Sequence, residues 1–283
     1  MTITTDRTTG TGTGPREPVS FLELEITRAC TLKCLHCYSN SGPAVGHGAM
    51  TPADWMGVIE QAAAHPTIDT VQFIGGEPTM HPTFGDLVQF ALLSGLQVAV
   101  FTNLVEVTPQ LWELYERDGV RLSTSWYSAV PAEHDQIVSE PGAYDATWTN
   151  LREAVRRRIP VKVAVVRVLD DQDVTGAVAQ INGLGITHYN VEDARAVGRA
   201  LAPGQNTTGA DLCGMCGDGR AAIDTRGRLT PCVLGRHLEA GNVRDTPLAD
   251  LLAGDRWADM IAGIPRSGQM CPPGDSNDCG PAV

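Results

Sequence analysis

From residue 20 to residue 193 the chain repeats one pattern: a short β-branched or apolar run, then a longer amphipathic stretch. The runs are FLELEIT (21–27), TVQFIG (70–75), QVAVFTN (97–103), VRLSTSW (120–126), VKVAVVRV (161–168) and THYNVED (187–193). Between them lie helix-period stretches at about 51–64, 83–94, 108–117, 145–157 and 173–184. Parallel strands need a long crossover, and the crossover helix must bury its apolar face on the sheet, so this alternation predicts βαβ units and a parallel sheet. Thr51-Pro52 and Thr108-Pro109 each pair a capping hydroxyl with a first-turn proline, marking two helix starts. Six strands suit either an incomplete barrel or a doubly wound sheet, and periodicity does not choose between them. No internal repeat is present.

The flanks differ in character. Residues 1–17 are Thr/Gly-rich with little to bury and read as a disordered tail. The barrel-like region is assigned to 18–195, a linker to 196–210, and a Cys-, Gly- and Pro-rich unit to 211–283, with one helical stretch near 247–262. No apolar run reaches the length of a membrane span, and the polar N-terminus lacks a signal peptide's apolar core. The expectation is a cytoplasmic protein with no membrane partner. Eight cysteines in a reducing compartment favour metal or redox chemistry over disulfides. A net charge of −12 argues against nucleic acid as a partner. The one dense basic run, Arg156-Arg157-Arg158, reads as the solvated end of a helix, or else as a docking patch for an acidic protein.

Directly after the first predicted strand comes ITRACTLKCLHCYSN (26–40), which places Cys30, Cys34 and Cys37 in a strand-end loop. Such loops carry the chemistry of open α/β folds and barrels. A zinc site would want a fourth protein ligand and C-x2-C pairs. A four-iron cubane held by three thiolates leaves one iron open to bind a ligand. Lys33 and His36 make the segment too polar for three unrelated core thiols.

C-x3-C-x2-C followed by the aromatic Tyr38 resembles the signature of the radical S-adenosylmethionine enzymes. The resemblance implies a partial (β/α)6 TIM-like barrel and a [4Fe–4S] cluster on Cys30, Cys34 and Cys37. The open iron of that cluster chelates S-adenosylmethionine, and reductive cleavage gives a 5′-deoxyadenosyl radical that abstracts a hydrogen atom from substrate. FIGGEPTMHP (73–82) ends the second strand with Gly75-Gly76-Glu77-Pro78, similar to the family's GGEP motif. There glycines allow backbone to approach the ligand and a carboxylate can take the methionine ammonium. The same resemblance assigns cofactor contacts to His36 and Tyr38, to Asn103 at the end of the third strand, and to Ser123 and Ser125 on the fourth; strand-end capping is the alternative for the last three. HDQIVSEPGAYDATWTNL (134–151) is similar to a stretch of the peptide-maturing branch. That branch often has an arginine shortly after its HD pair; Val138 and Ser139 stand there instead, so the methionine-carboxylate anchor stays unassigned.

CGMCGDGRAAIDTRGRLTPCVLGR (213–236) resembles half of a SPASM or twitch domain, in which Cys213 or Cys216, Gly227 and Cys232 have the family spacing. GNVRDTPLADLL (241–252) looks like the segment that normally follows. Only Cys271 and Cys279 remain, too few for two fully ligated clusters, so the expectation is one auxiliary [4Fe–4S] cluster, with structural zinc as the alternative. Three thiols for the radical cluster and four for the auxiliary one leave one of eight. Cys271 or Cys279 is the odd thiol: inert, a hydrogen-atom donor, or a displaceable ligand.

The resemblance thus implies an oxidoreductase acting on an unactivated C–H bond. A ribosomally made peptide is the favoured substrate and an oxidative crosslink the favoured outcome. Peptide epimerisation with a cysteine hydrogen donor, or dehydrogenation of a small molecule in natural-product biosynthesis, is the alternative. The chemistry calls for a flavodoxin- or ferredoxin-type donor. The short stretch ahead of the first strand suggests a separate leader-recognition protein.

Overall fold

The computed structural model describes residues 15–266. Six strands form at β1 (Phe21–Thr27), β2 (Thr70–Gly75), β3 (Gln97–Phe101), β4 (Val120–Trp126), β5 (Val161–Arg167) and β6 (Tyr189–Asp193), all parallel. The helices between them are α1 (Pro52–Ala64), α2 (Phe84–Leu93), α3 (Pro109–Tyr115), α4 (Pro131–Val138), α5 (Ala143–Arg156) and α6 (Val174–Gly183). The strands lie in the order β6-β5-β4-β3-β2-β1. This settles the choice that periodicity left open. A doubly wound sheet reverses direction at a switch point, whereas strictly sequential order with crossovers of one hand puts every helix on the same face. The other face is then the inside of an incomplete barrel.

β1 shows how the alternation is used. Leu22, Leu24 and Ile26 join the large core with Trp55 and Ile59 of α1, while Glu23, Glu25 and Thr27 point to the opposite face and are also buried. Thr51 caps α1 by accepting from the Asp54 amide, and Asp54 returns the bond to the Thr51 amide. The Thr108 hydroxyl accepts from the Leu111 amide at the start of α3. Arg156 and Arg157 end α5, where both pair with Glu153; Arg157 also reaches Glu116 and lies over the Trp112 ring.

The sheet does not stop at β1. On its far side runs β7 (Arg220–Ile223), parallel to it, then β8 (Arg228–Thr230) and β9 (Gly241–Asn242), antiparallel, giving nine strands in all. Two short helices follow, α7 (Leu248–Ala253) and α8 (Asp255–Ala262), where the sequence suggests a single stretch; Gly254 in extended conformation separates them. Leu248, Leu251 and Trp257 pack into the same core as the barrel helices, and the Leu248 amide donates to the Gln61 side chain of α1. Cysteine-rich segment and barrel thus share one sheet and one core. Structure also begins ahead of residue 18. The Arg16 guanidinium donates to the carbonyls of Gly214, Cys216, Ile261 and Ile264. The remainder of the expected tail, together with Cys271 and Cys279, lies outside the described residues. No helix among the described residues is long and apolar enough to cross a membrane.

Candidate active site

The loop after β1 folds back on itself through main-chain bonds, Cys30 N to Gly42 O and Cys37 N to Cys34 O. The end of α4 holds it from one side: the Lys33 and Leu35 amides donate to the carbonyls of Val138 and Ile137. The linker holds it from another. The Arg199 amide donates to Cys37 O at 2.9 Å, and its guanidinium donates to the carbonyls of Cys34 and Ser41. Gly198 beside it has φ +62°, and a Cβ there would collide with the carbonyls of Cys37 and Tyr38. Residues 198–200 form a single 3-10 turn clamped onto the cysteine loop.

Cys30, Cys34 and Cys37 line one cavity of about 630 Å³, counting its open mouth, together with Gly75, Gly76, Asn103 and Ser125. Amide donors already face two of the sulfurs: Leu32 N to Cys30 Sγ at 3.4 Å and Ser41 N to Cys37 Sγ at 3.3 Å. Burial pushes the Cys30 thiol up to about 12, with the Glu77 carboxylate adding to it, and burial likewise raises Cys34. Among the described residues no three histidine, cysteine or acidic side chains close on a point that would hold a single metal ion. The three thiols surround a space instead.

Gly75 and Gly76 are fixed by packing. Gly76 N and Glu77 N donate to Thr27 O and Ala29 O at 2.8 Å, and a Cβ on either glycine would run into that same backbone. The turn after β2 is thereby pressed against the loop after β1. Glu77 accepts from the Thr79 amide and hydroxyl on one oxygen and from the Asn103 amide, at 2.8 Å, on the other. The carboxylate ties the ends of β2 and β3 together. The Asn103 side chain in turn donates to Thr31 Oγ1 at 3.1 Å and to Cys30 Sγ at 3.8 Å.

Of the two β4 serines only Ser125 reaches the cavity wall, and both are buried with hydroxyls that lack a hydrogen-bond partner. Tyr38 is buried and donates to Gly75 O at 3.4 Å. His36 is buried edge-on against Tyr127 with neither ring nitrogen bonded, and burial lowers it to about 3.

Cys213, Cys216 and Cys232 line a second, smaller cavity of about 300 Å³. Cys216 Sγ and Cys232 Sγ are 3.1 Å apart, and Gly235 N donates to Cys232 Sγ. This cavity has a wall from the barrel, Glu23 of β1. Burial raises Glu23 to about 7, and its carboxylate accepts from Val233 N at 3.2 Å. Two residues further along β1, Glu25 is buried and binds the Arg236 guanidinium through both oxygens at 2.5 Å, while that guanidinium lies over the Tyr38 ring. Arg236 thus spans from the turn after Cys232 to the residue after Cys37.

Sequence reasoning missed Glu23, Glu25, Arg199, Arg236 and His134, which also lines the first cavity. The signal for the first two was present in FLELEIT: a strand buried on both faces has no solvent side for its glutamates.

The described residues thus hold two cavities on one sheet, with three thiols in each. Residues 24–175 match the model of the Radical SAM superfamily, so the chain belongs to that family. Residues 213–279 match the SPASM iron–sulfur cluster-binding domain, which places it among the members that carry auxiliary clusters. The chain is 27% identical over 169 residues to the AdoMet-dependent heme synthase of Methanosarcina barkeri, 59% of this chain and 48% of that protein. It is 26% identical over 178 residues to the sporulation killing factor maturation protein SkfB of Bacillus subtilis, 62% of this chain and 43% of that one. These matches span about half the length of the curated relatives or less. Among solved structures, Streptococcus suis SuiB bound to its precursor peptide SuiA superimposes with a TM-score of 0.70 at 16% identity, covering 89% of this chain and 67% of that one.

The family implies a [4Fe–4S] cluster with S-adenosylmethionine, and the SPASM domain implies auxiliary iron–sulfur binding. The donor sets fit both. The first cavity presents three thiols from one loop and the second three from the two sides of the β7–β8 hairpin, each with a backbone amide aimed at sulfur, as anionic cluster sulfurs require.

Proposed function

We propose that this protein is a peptide-modifying oxidoreductase that introduces an oxidative crosslink into a ribosomally made peptide. Cys30, Cys34 and Cys37 would hold the radical cluster, and Cys213, Cys216 and Cys232 would supply ligands to an auxiliary one, which would accept the second electron that crosslinking removes from the substrate radical as its proton leaves to solvent. When bound, the radical cluster and S-adenosylmethionine supply one-electron cleavage of the sulfonium, giving the 5′-deoxyadenosyl radical that removes a hydrogen atom from substrate. The chain's own residues do the positioning. Glu77 fixes Asn103 beside the thiols, Tyr38 closes on the Gly75 carbonyl, and Arg199 keeps the cysteine loop in register. The observation that carries the reading is the first cavity: three thiols and two close-packed glycines face one space whose lining, among the described residues, has no acidic or basic side chain other than a histidine.

Support for a peptide comes from the similarity to SkfB, a sporulation killing factor maturation protein, and from the fold shared with SuiB, which was solved bound to its precursor peptide. A small molecule is the second reading, favoured by the heme synthase match, which covers nearly as much of this chain as the SkfB match does. The electron comes from outside, from a flavodoxin- or ferredoxin-type donor, and a separate leader-recognition protein is a further expected partner. The test is anaerobic turnover with S-adenosylmethionine and dithionite, first alone and then with short peptides encoded beside this gene. Formation of 5′-deoxyadenosine together with a peptide lighter by two hydrogens supports the proposal. A peptide of unchanged composition carrying one solvent deuterium would replace crosslinking by epimerisation, and peptides left untouched while a small substrate is oxidised would favour the second reading.

A further inference from the structure

His134 stands in the stretch between β4 and α5 whose similarity to the peptide-maturing branch left it without a task. It lies on α4, is 1% exposed, and forms part of the wall of the three-thiol cavity. The rings of Trp126, Tyr127 and Tyr144 surround it at 4.5, 5.2 and 5.7 Å, and its Nδ1 makes no hydrogen bond. Its neighbour in sequence is fully occupied: the Asp135 carboxylate accepts from the amides of Gly142 and Tyr144 and so starts α5. Asp135 explains itself as a cap, whereas His134 brings a polar ring into an aromatic wall without a partner.

Most of the other polar groups of that wall are committed. The Asn103 side chain bonds Thr31 and the Val105 amide, and the Thr147 hydroxyl donates to Asn103 O. Ser41 is paired with Ser39 at 2.7 Å, while the Ser125 hydroxyl, like His134 Nδ1, has no hydrogen-bond partner and is a second, neutral donor on this wall. Among the described residues neither arginine nor lysine lines the cavity. S-adenosylmethionine brings an ammonium and a carboxylate into this space. Main-chain carbonyls at strand ends can meet an ammonium. A carboxylate needs donors, and leaving it without them in a desolvated site is expensive.

Resting on the assignment of this cavity to S-adenosylmethionine, we propose that the His134 imidazole holds the methionine carboxylate of that ligand, donating a ring N–H in place of a basic side chain. Burial lowers the ring to about 4. It is therefore neutral at physiological pH and offers one donor without adding a fixed charge beside the thiols.

The test compares two ligands on anaerobically reconstituted protein by calorimetric titration: S-adenosylmethionine and its decarboxylated analogue. His134→Phe should weaken S-adenosylmethionine by about tenfold to a hundredfold, the range for one hydrogen bond to a charged group, and leave the analogue's affinity unchanged. His134→Gln, which restores an N–H donor, should recover most of the loss. The ratio of the two affinities cancels any loss of folded protein, so a partly unfolded variant still decides the matter. Equal weakening of both ligands, or of neither, overturns the role given to His134. Wild-type protein that binds neither ligand would instead overturn the assignment of the cavity itself.

Discussion

Replacing Gly198 with alanine tests the clamp on the cysteine loop. The backbone at 198 is left-handed, which costs a residue with a Cβ about 1 kcal/mol. In addition the new Cβ would lie 2.5 Å from the Tyr38 carbonyl carbon and nearer still to two carbonyl oxygens, so the 198–200 turn must lift. Lifting it breaks the Arg199 amide bond to Cys37, worth about 1 kcal/mol, and strains the two guanidinium bonds to Cys34 and Ser41, for which about 1.5 kcal/mol or more is at stake. The expected loss is roughly 4 kcal/mol in all. Gly204 is the internal control. It lies in the same connecting segment with φ +82°, but a Cβ there meets nothing within 4 Å, so Gly204→Ala should lose only the backbone component of about 1 kcal/mol. Urea unfolding followed by tryptophan fluorescence under anaerobic conditions gives both values, and iron release to a chelator should be faster in the Gly198 variant alone. Midpoints corresponding to stabilities within about 1 kcal/mol of each other would refute the clamp.

Three further outcomes are expected. Changing Cys30, Cys34 and Cys37 together to alanine should remove the iron of one cubane and all 5′-deoxyadenosine formation under dithionite; iron analysis and chromatography of the products check it, and persistent cleavage would rule out the assigned ligands. Arg236→Met leaves Glu25 buried without its partner and should lower stability by about 3–5 kcal/mol, with Glu25→Gln in the same chain recovering much of it; a single-variant loss below about 1 kcal/mol would show that the pair does not hold the two loops together. His134, lowered to about 4 in the fold against an ordinary 6.5, binds its proton more readily when unfolded. Its contribution is therefore fully present above pH 6.5 and lost as pH falls toward 4, amounting to about 2 kcal/mol at pH 5. Urea midpoints at pH 7.5 and 5 should show a smaller pH dependence in His134→Gln than in wild type.

Sequence was most informative where a single segment carries its own reason. All six barrel strands are legible because each alternates or runs apolar between glycine-, proline- or helix-rich neighbours, and Thr51-Pro52 and Thr108-Pro109 mark real caps. The three cysteines and the Gly75-Gly76 turn were readable for the same reason. α4 escaped because Val130 gives it no side-chain cap and eight residues hold barely two turns. β7 is four residues beside a glycine-rich turn, and its partner β1 lies 199 positions away by the pairing of Phe21 with Arg220. No local pattern encodes such a pairing. The contacts that bring barrel and cysteine-rich segment together, Glu25 with Arg236 and Glu23 with the Val233 amide, were invisible on the same ground: each half reads as an ordinary charged residue or an unremarkable amide.

That distance between β1 and β7 has a consequence on the ribosome. β1 emerges ahead of the other strands of its sheet, and β2 can pair with one of its edges soon afterwards. Its other edge must wait for β7, which at ordinary elongation rates means roughly 10–40 seconds. An exposed strand edge invites pairing with the wrong chain, and inward-pointing charges are one means by which natural sheets discourage it. Glu23 and Glu25 stand on this strand, on the face that is not yet covered. While the nascent barrel is open they are hydrated anions that repel a trespassing strand. When β7 arrives with Val233 and Arg236 behind it, the same two carboxylates receive the partners that allow them to be buried.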